Sequence, residues 1–131
     1  MTPIVPFAAR LYRPLEPYAY TLIRVATGAI FIPHGVLKLF FGGATSAMGY
    51  GFGILELVGG LAIALGLGTR IVAFMMAIEL GVIVVAIQMP NGYFWTSRGA
   101  EFALVLFVVC VAFVIGGGGR YSLDRKLGRE F

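Results

Sequence analysis

Charge is what this 131-residue chain has least of: Asp, Glu, Lys and Arg together make up 12% of it, where a soluble domain carries roughly 25%. A water-soluble surface cannot be built from that stock. Cysteine is nearly absent as well. The single Cys110 excludes an internal disulfide and any CxxC pair for dithiol exchange, and it leaves the redox compartment unspecified. Histidine is equally scarce, with His34 alone. One histidine with carboxylates can make a metal site, but nothing here has the spacing of a known ligand set, so no metal is expected. Alternating polarity over about ten residues is missing too, which argues against membrane-spanning strands. The chain has no internal repeat and no low-complexity tract. Its length allows one domain, residues 1–131, and no separate catalytic module.

What is present is apolar sequence, 60% of the residues, gathered into four stretches at about 18–41, 48–67, 71–89 and 99–115. Each is close to the ~20 residues a helix needs to cross the hydrocarbon core. The links between them carry turn chemistry: Phe41-Gly42-Gly43, Gly66-Leu67-Gly68-Thr69, Pro90-Asn91-Gly92 and the glycine run 116–119. The first stretch is too long for a signal peptide, contains Arg24 and lacks a small-residue cleavage site. The expected fold is all-α, an integral membrane four-helix bundle.

The distribution of Lys and Arg orients such a bundle. Arg10, Arg13, Arg70, Arg120, Arg125, Lys126 and Arg129 fall on the side shared by both termini, against Arg98 and the helix-end Lys38 on the other. Both termini of this multi-pass protein are therefore expected to face the cytoplasm. The net charge of +4 follows from this rule and from anionic lipid at the inner surface; nucleic acid is not an expected partner. Tyr93, Phe94 and Trp95 read as an interfacial aromatic belt on the outer side, or as a lid over a cavity.

The informative residues are the ionisable ones inside the apolar stretches: Arg24, His34, Lys38, Glu56, Glu79 and Glu101. One such charge at mid-helix costs roughly 2.5–3.5 kcal/mol on insertion, so inward-facing pairs are favoured over several unpaired charges. At about 100° per residue, Arg24, His34 and Lys38 fall within roughly an 80° arc of the first helix. Depth counting predicts an outer cluster of Lys38, His34, Glu56 and Glu101, and a pair Arg24–Glu79 toward the inner half or the middle, unless Arg24 snorkels to the headgroups. Pro33 removes one backbone bond and clashes with the carbonyl of Ala29, so a kink or local opening at Pro33-His34-Gly35 is expected to expose backbone polar groups beside these side chains. Cys110, on the opposite side of its helix from Glu101, reads as a small packing residue. Buried pairs of this kind serve either a ligand, proton or redox site or helix register alone.

The run Arg24…Phe31-Ile32-Pro33-His34-Gly35-Val36-Leu37-Lys38-Leu39-Phe40, then Glu56-Leu57-Val58-Gly59-Gly60…Leu67-Gly68-Thr69-Arg70, then Glu101 and Gly119-Arg120-Tyr121-Ser122-Leu123-Asp124, resembles the DoxX family of bacterial membrane proteins over about residues 18–127. The resemblance implies a four-span inner-membrane protein, often described as an oxidoreductase subunit. The DoxD-type relatives pass electrons from thiosulfate to quinone with a partner subunit. Other members are membrane partners of soluble enzymes in superoxide and thiol stress, and distant eukaryotic relatives assist ion-channel assembly. The family's polar positions carry over as Arg24, His34, Lys38, Glu56 and Glu101, while Glu79 is not carried over.

The expectation is then a quinone-linked oxidoreductase subunit acting with a partner subunit or as a homo-oligomer. His34 and Lys38 would meet a quinone carbonyl, and Glu56 and Glu101 would tune their proton affinity. Arg24, Pro33, Glu79, Tyr93 and Trp95 complete the ligand surroundings. Electrons must come from a bound cofactor or another subunit, because the chain supplies no dithiol and no haem ligation pair. Whether the protein is itself an enzyme is left open. The alternatives are a non-catalytic assembly subunit, docked through glycines such as Gly59, Gly60, Gly66 and Gly68, and a small transporter or proton pathway.

Overall fold

The computed structural model describes residues 6–129, and they form helices with no strand among them. The two chain ends lie outside the described residues. A short helix α1 (Pro6–Tyr12) leads into α2 (Glu16–Phe40), followed by α3 (Ala47–Leu65), α4 (Thr69–Asn91), α5 (Glu101–Gly116) and a final turn α6 (Leu123–Lys126). Helices α2, α3 and α4, at 25, 19 and 23 residues, are long and apolar enough to cross a membrane. At 16 residues α5 is apolar after its first residue, Glu101, but falls short of the ~20-residue span.

The side chains are arranged as lipid requires. Leu22, Phe40, Val85 and Ile115 are all exposed by 68% or more, which a water-facing surface would not tolerate in such number. The buried face is small-residue and mixed: Phe31, Ile63, Ala73, Met76, Leu106, Cys110 and Phe113 form one cluster. Cys110 is completely buried within it, a packing residue as its helix position suggested.

Helix α2 packs along α3, and α4 along α5. The α2–α3 contact depends on glycines seven residues apart on each helix. Gly28 lies against Gly60 and Ala64, and Gly35 against Gly53 and Leu57, so closely that a Cβ at Gly35 would stand 2.7 Å from the Gly53 carbonyl oxygen. Small residues let helix backbones approach where lipid gives no hydrophobic drive to association. Gly59 and Gly60, expected to face a docking partner, are used inside the chain, against Met76 and Val72 and against Phe31.

The expected opening at Pro33 does not occur there. Helix α2 runs through Pro33 without interruption to Phe40. The irregular backbone lies in its neighbours: a π-helical turn at Leu55–Gly59 in α3 and another at Ile83–Gln88 in α4. Such turns insert one residue into the helical ladder and re-aim the side chains around them. The first contains Glu56 and the second ends on Gln88.

The α3–α4 turn is tight because Gly66 and Gly68 both adopt left-handed φ, 72° and 57°, a conformation open to glycine at little steric cost. Asp124 then closes over it. Its carboxylate accepts from the backbone N–H of Gly68 (2.6 Å) and Thr69 (2.9 Å) and from the Thr69 hydroxyl (2.8 Å). The two loop motifs of the sequence, GLGTR and RYSLD, are thus halves of one clasp.

Candidate functional site

Lys38 sits two residues before the last residue of α2, Phe40, and reaches across to α3 and α4. Its ammonium donates to Glu56 Oε1 at 2.7 Å and stands 3.8 Å from Glu79 Oε1. The Glu56 and Glu79 side chains are 5% and 1% exposed, against 23% for Lys38. One cation therefore faces two carboxylates from two helices, and the lysine alone keeps a path to the outside.

Beside this cluster lies a cavity of about 380 Å³. Lys38, Glu56, His34 and Gln88, with Thr45 and Ser46, supply its polar wall, and Ile30, Phe31, Leu80, Ile83, Phe102 and Leu106 much of its apolar wall. Few polar groups in a mostly apolar pocket of a few hundred Å³ is the usual composition of a small-molecule site. Gln88 Oε1 and Glu56 Oε2 are buried and have no hydrogen-bond partner among the described residues. Buried acceptors of that kind invite a donor. Gln88 was passed over in the sequence because it is uncharged; its signal was a lone amide at the end of an apolar stretch.

A second, wider groove of about 1350 Å³ adjoins the first, and His34, Ile87, Gln88 and Phe102 line both. Glu101, at the start of α5, opens onto this groove together with Tyr93, Trp95 and Arg98. Glu101 makes no ion pair with Lys38 among the described residues, so the expected four-residue outer cluster is divided. Lys38 and Glu56 stay together, Glu79 joins them, and Glu101 lies apart. His34 is exposed on α2, where Nδ1 lies 2.8 Å from the Ile30 carbonyl oxygen. Tyr93 and Trp95 are exposed and line the groove at its rim, a placement that suits a belt and a lid alike. Pro33 is also exposed, on uninterrupted helix.

The expected Arg24–Glu79 pair is not formed. Arg24 is buried at the opposite end of α2, 14 residues from Lys38, which is about 21 Å along the axis. It donates instead to the backbone carbonyls of Gly118 and Tyr121, while the Tyr20 hydroxyl donates to Gly117 (2.7 Å) and Arg70 to Val114 and Ile115 (3.0 Å each). A guanidinium has five donors in a rigid fork, and the glycine run after α5 leaves several carbonyls without helical partners. Arg24 is therefore a tether for the C-terminal segment. Glu79 is left to Lys38.

What these observations define is a membrane protein of apolar helices with a buried ion cluster beside a mostly apolar cavity. The chain belongs to the DoxX family: the family model of that name matches residues 19–89, which take in Arg24, His34, Lys38, Glu56 and Glu79 but stop short of Glu101. The chain is 32% identical over 113 residues to a Bacillus subtilis protein named "Putative oxidoreductase CatD", covering 79% of this chain and 82% of that one. It is 30% identical over 123 residues to an uncharacterised Haemophilus influenzae protein (85% and 92% covered). To an uncharacterised membrane protein of Mycobacterium tuberculosis it is 28% identical over 145 residues (92% and 88% covered). No solved structure matches significantly.

Proposed function

We propose that this protein is a subunit of a quinone-linked oxidoreductase in the bacterial inner membrane, a four-helix bundle with both termini cytoplasmic. The observation that carries the reading is the cavity: a mostly apolar chamber whose polar wall joins a lysine held by a buried glutamate to a glutamine whose Oε1 has no hydrogen-bond partner among the described residues. A quinone, when bound, supplies a two-electron acceptor soluble in the bilayer. The residues here would bind and orient it. The Lys38 ammonium, which keeps donors beyond the one given to Glu56, would polarise a carbonyl oxygen and protonate it. Gln88 Oε1 would accept from a ring hydroxyl. His34, at the junction with the outer groove, would relay protons to the outer side. Electrons arrive from a partner protein, and the name of the Bacillus subtilis relative supports an oxidoreductase role.

The test is extraction of quinone from protein purified out of native membranes. Wild-type protein is expected to carry quinone, and Lys38→Ala and Glu56→Ala to lose it. Occupancy that is absent in the wild type, or untouched by both substitutions, refutes the reading.

A further inference from the structure

The ion cluster does not balance. Glu56 and Glu79 bring two carboxylates, and Lys38 brings one ammonium. Both Glu79 oxygens and Glu56 Oε2 are buried with no hydrogen-bond partner among the described residues. Lys38 at 3.8 Å from Glu79 is an ion-pair neighbour but lies beyond ordinary hydrogen-bond reach. An ionised carboxylate in such a place needs donors or a matching charge of its own. One positive charge is missing from the cluster.

We propose that Glu56 and Glu79 share one exchangeable proton, and that Glu79 is the reserve from which the cavity-facing Lys38–Glu56 pair is resupplied. A hydroxyl on one carboxyl, donating to the other, neutralises the cluster and satisfies oxygens on both residues at once. A metal cation serves less well. Three carboxylate oxygens remain beside the one bound to Lys38, fewer than the six to eight a hard cation gathers. The topology separates the roles. Lys38 and Glu56 form part of the cavity wall and Glu79 does not; Glu79 stands behind them, one residue from the core residue Leu80 and three from Met76. A proton passed from Lys38 to an acceptor oxygen of a cavity ligand breaks an N–H bond, forms an O–H bond on that oxygen and leaves a neutral amine, which takes the stored proton from the carboxyl O–H as the pair returns to two carboxylates. The groups that face Glu79 are Lys38 on α2, Glu56 on α3 and Cys110 on α5. His34 is the nearest further titratable group on the Lys38 helix. Glu79 is in these terms a positioning residue, acting through Lys38 and Glu56. The inference deepens the proposed quinone site but is tested apart from it.

The experiment is infrared spectroscopy of the purified full chain in lipid nanodiscs near neutral pH, in H₂O and after transfer to D₂O. A shared proton gives a carboxylic-acid C=O band that shifts on deuteration. It is expected in the wild type, lost in Glu79→Gln, and displaced but kept in Glu79→Asp, with unchanged helicity and elution as evidence of folding. A wild-type protein without the band, or a folded Glu79→Gln with the band unaltered, overturns the proposal. Asp124 is the other buried carboxylate, and the glutamine difference excludes it. Quinone extraction from the same wild-type samples separates the two readings: a proton band without quinone sinks the ligand and leaves the store, and quinone without the band does the reverse.

Discussion

Replacing Lys38 by Met removes the ammonium and keeps nearly the whole side-chain length, so the change is electrostatic. The two glutamates, 5% and 1% exposed, then lose the one cation within 4 Å of them among the described residues. Breaking a buried ion pair from one side costs about 3–5 kcal/mol. Lys38 is itself 23% exposed, so water already screens part of the interaction, and the expected loss is near the lower bound, about 3 kcal/mol. That corresponds to roughly a hundredfold shift of the unfolding equilibrium. Cys110 provides the assay without a probe being introduced. It is fully buried, so its rate of labelling by a maleimide during a denaturant titration reports opening of the core. The decisive comparison is the triple variant Lys38→Met, Glu56→Gln, Glu79→Gln. Swapping a whole buried ion group for neutral residues of similar size is often nearly neutral or stabilising, so it should recover most of what the single change lost. A single variant as stable as the wild type, or a triple variant no better than the single, would show that Lys38 does not serve as the counter-charge.

Three further outcomes follow from the packing and the clasp. Gly35→Ala should destabilise by about 2–3 kcal/mol, the upper part of the range for overpacking, because its Cβ meets α3 backbone that cannot swing aside; Gly51→Ala, where a Cβ meets nothing within 4 Å, should be neutral or slightly stabilising in the same labelling assay. Asp124→Ala should remove the acceptor of three hydrogen bonds and cost about 3 kcal/mol on the scale of bonds to charged groups, read as faster proteolysis of the C-terminal segment. Gln88→Leu should lower quinone occupancy severalfold with no loss of stability, since the amide oxygen has no partner among the described residues to lose.

Much of the fold was legible because lipid imposes it. A chain with so little charge and four apolar stretches has few options, and helices at those stretches are what is found. The irregularities were less legible. Proline is the visible helix-breaker, yet α2 absorbs Pro33 as a continuous helix, as membrane helices can when neighbouring packing compensates. The π turns in α3 and α4 carry no such marker. They lie in Leu-Glu-Leu-Val-Gly and Ile-Val-Val-Ala-Ile-Gln, runs that read locally as ordinary helix, and only the way the helices pack selects them. The use of Gly59 and Gly60 within the chain was hidden for a related reason: a small residue marks close approach without naming the neighbour, and here the neighbours are α4 and α2 of the same chain.

The site divides in the same way. Glu79 was assigned to the inner half or the middle by its distance along a stretch whose bounds were approximate, and its level beside Glu56 could have been counted more closely. Helices α3 and α4 are antiparallel and joined by the glycine turn at 66–68, so residues equally far from that turn lie at one depth. Glu56 precedes Leu65 by nine residues (65 − 56), and Glu79 follows Thr69 by ten (79 − 69), which places both about 14–15 Å along their helices. Their meeting follows from a tight turn and a count. Arg24 admits no such count. Its partners are carbonyls of a glycine-rich segment, groups that every residue possesses and that no side-chain pattern distinguishes. A charge seeking another charge across antiparallel helices therefore leaves a trace in the residue order, and a charge seeking backbone leaves none. The same distinction explains why Lys38, Glu56 and Glu79, not Arg24, are the residues on which a mechanism can be built.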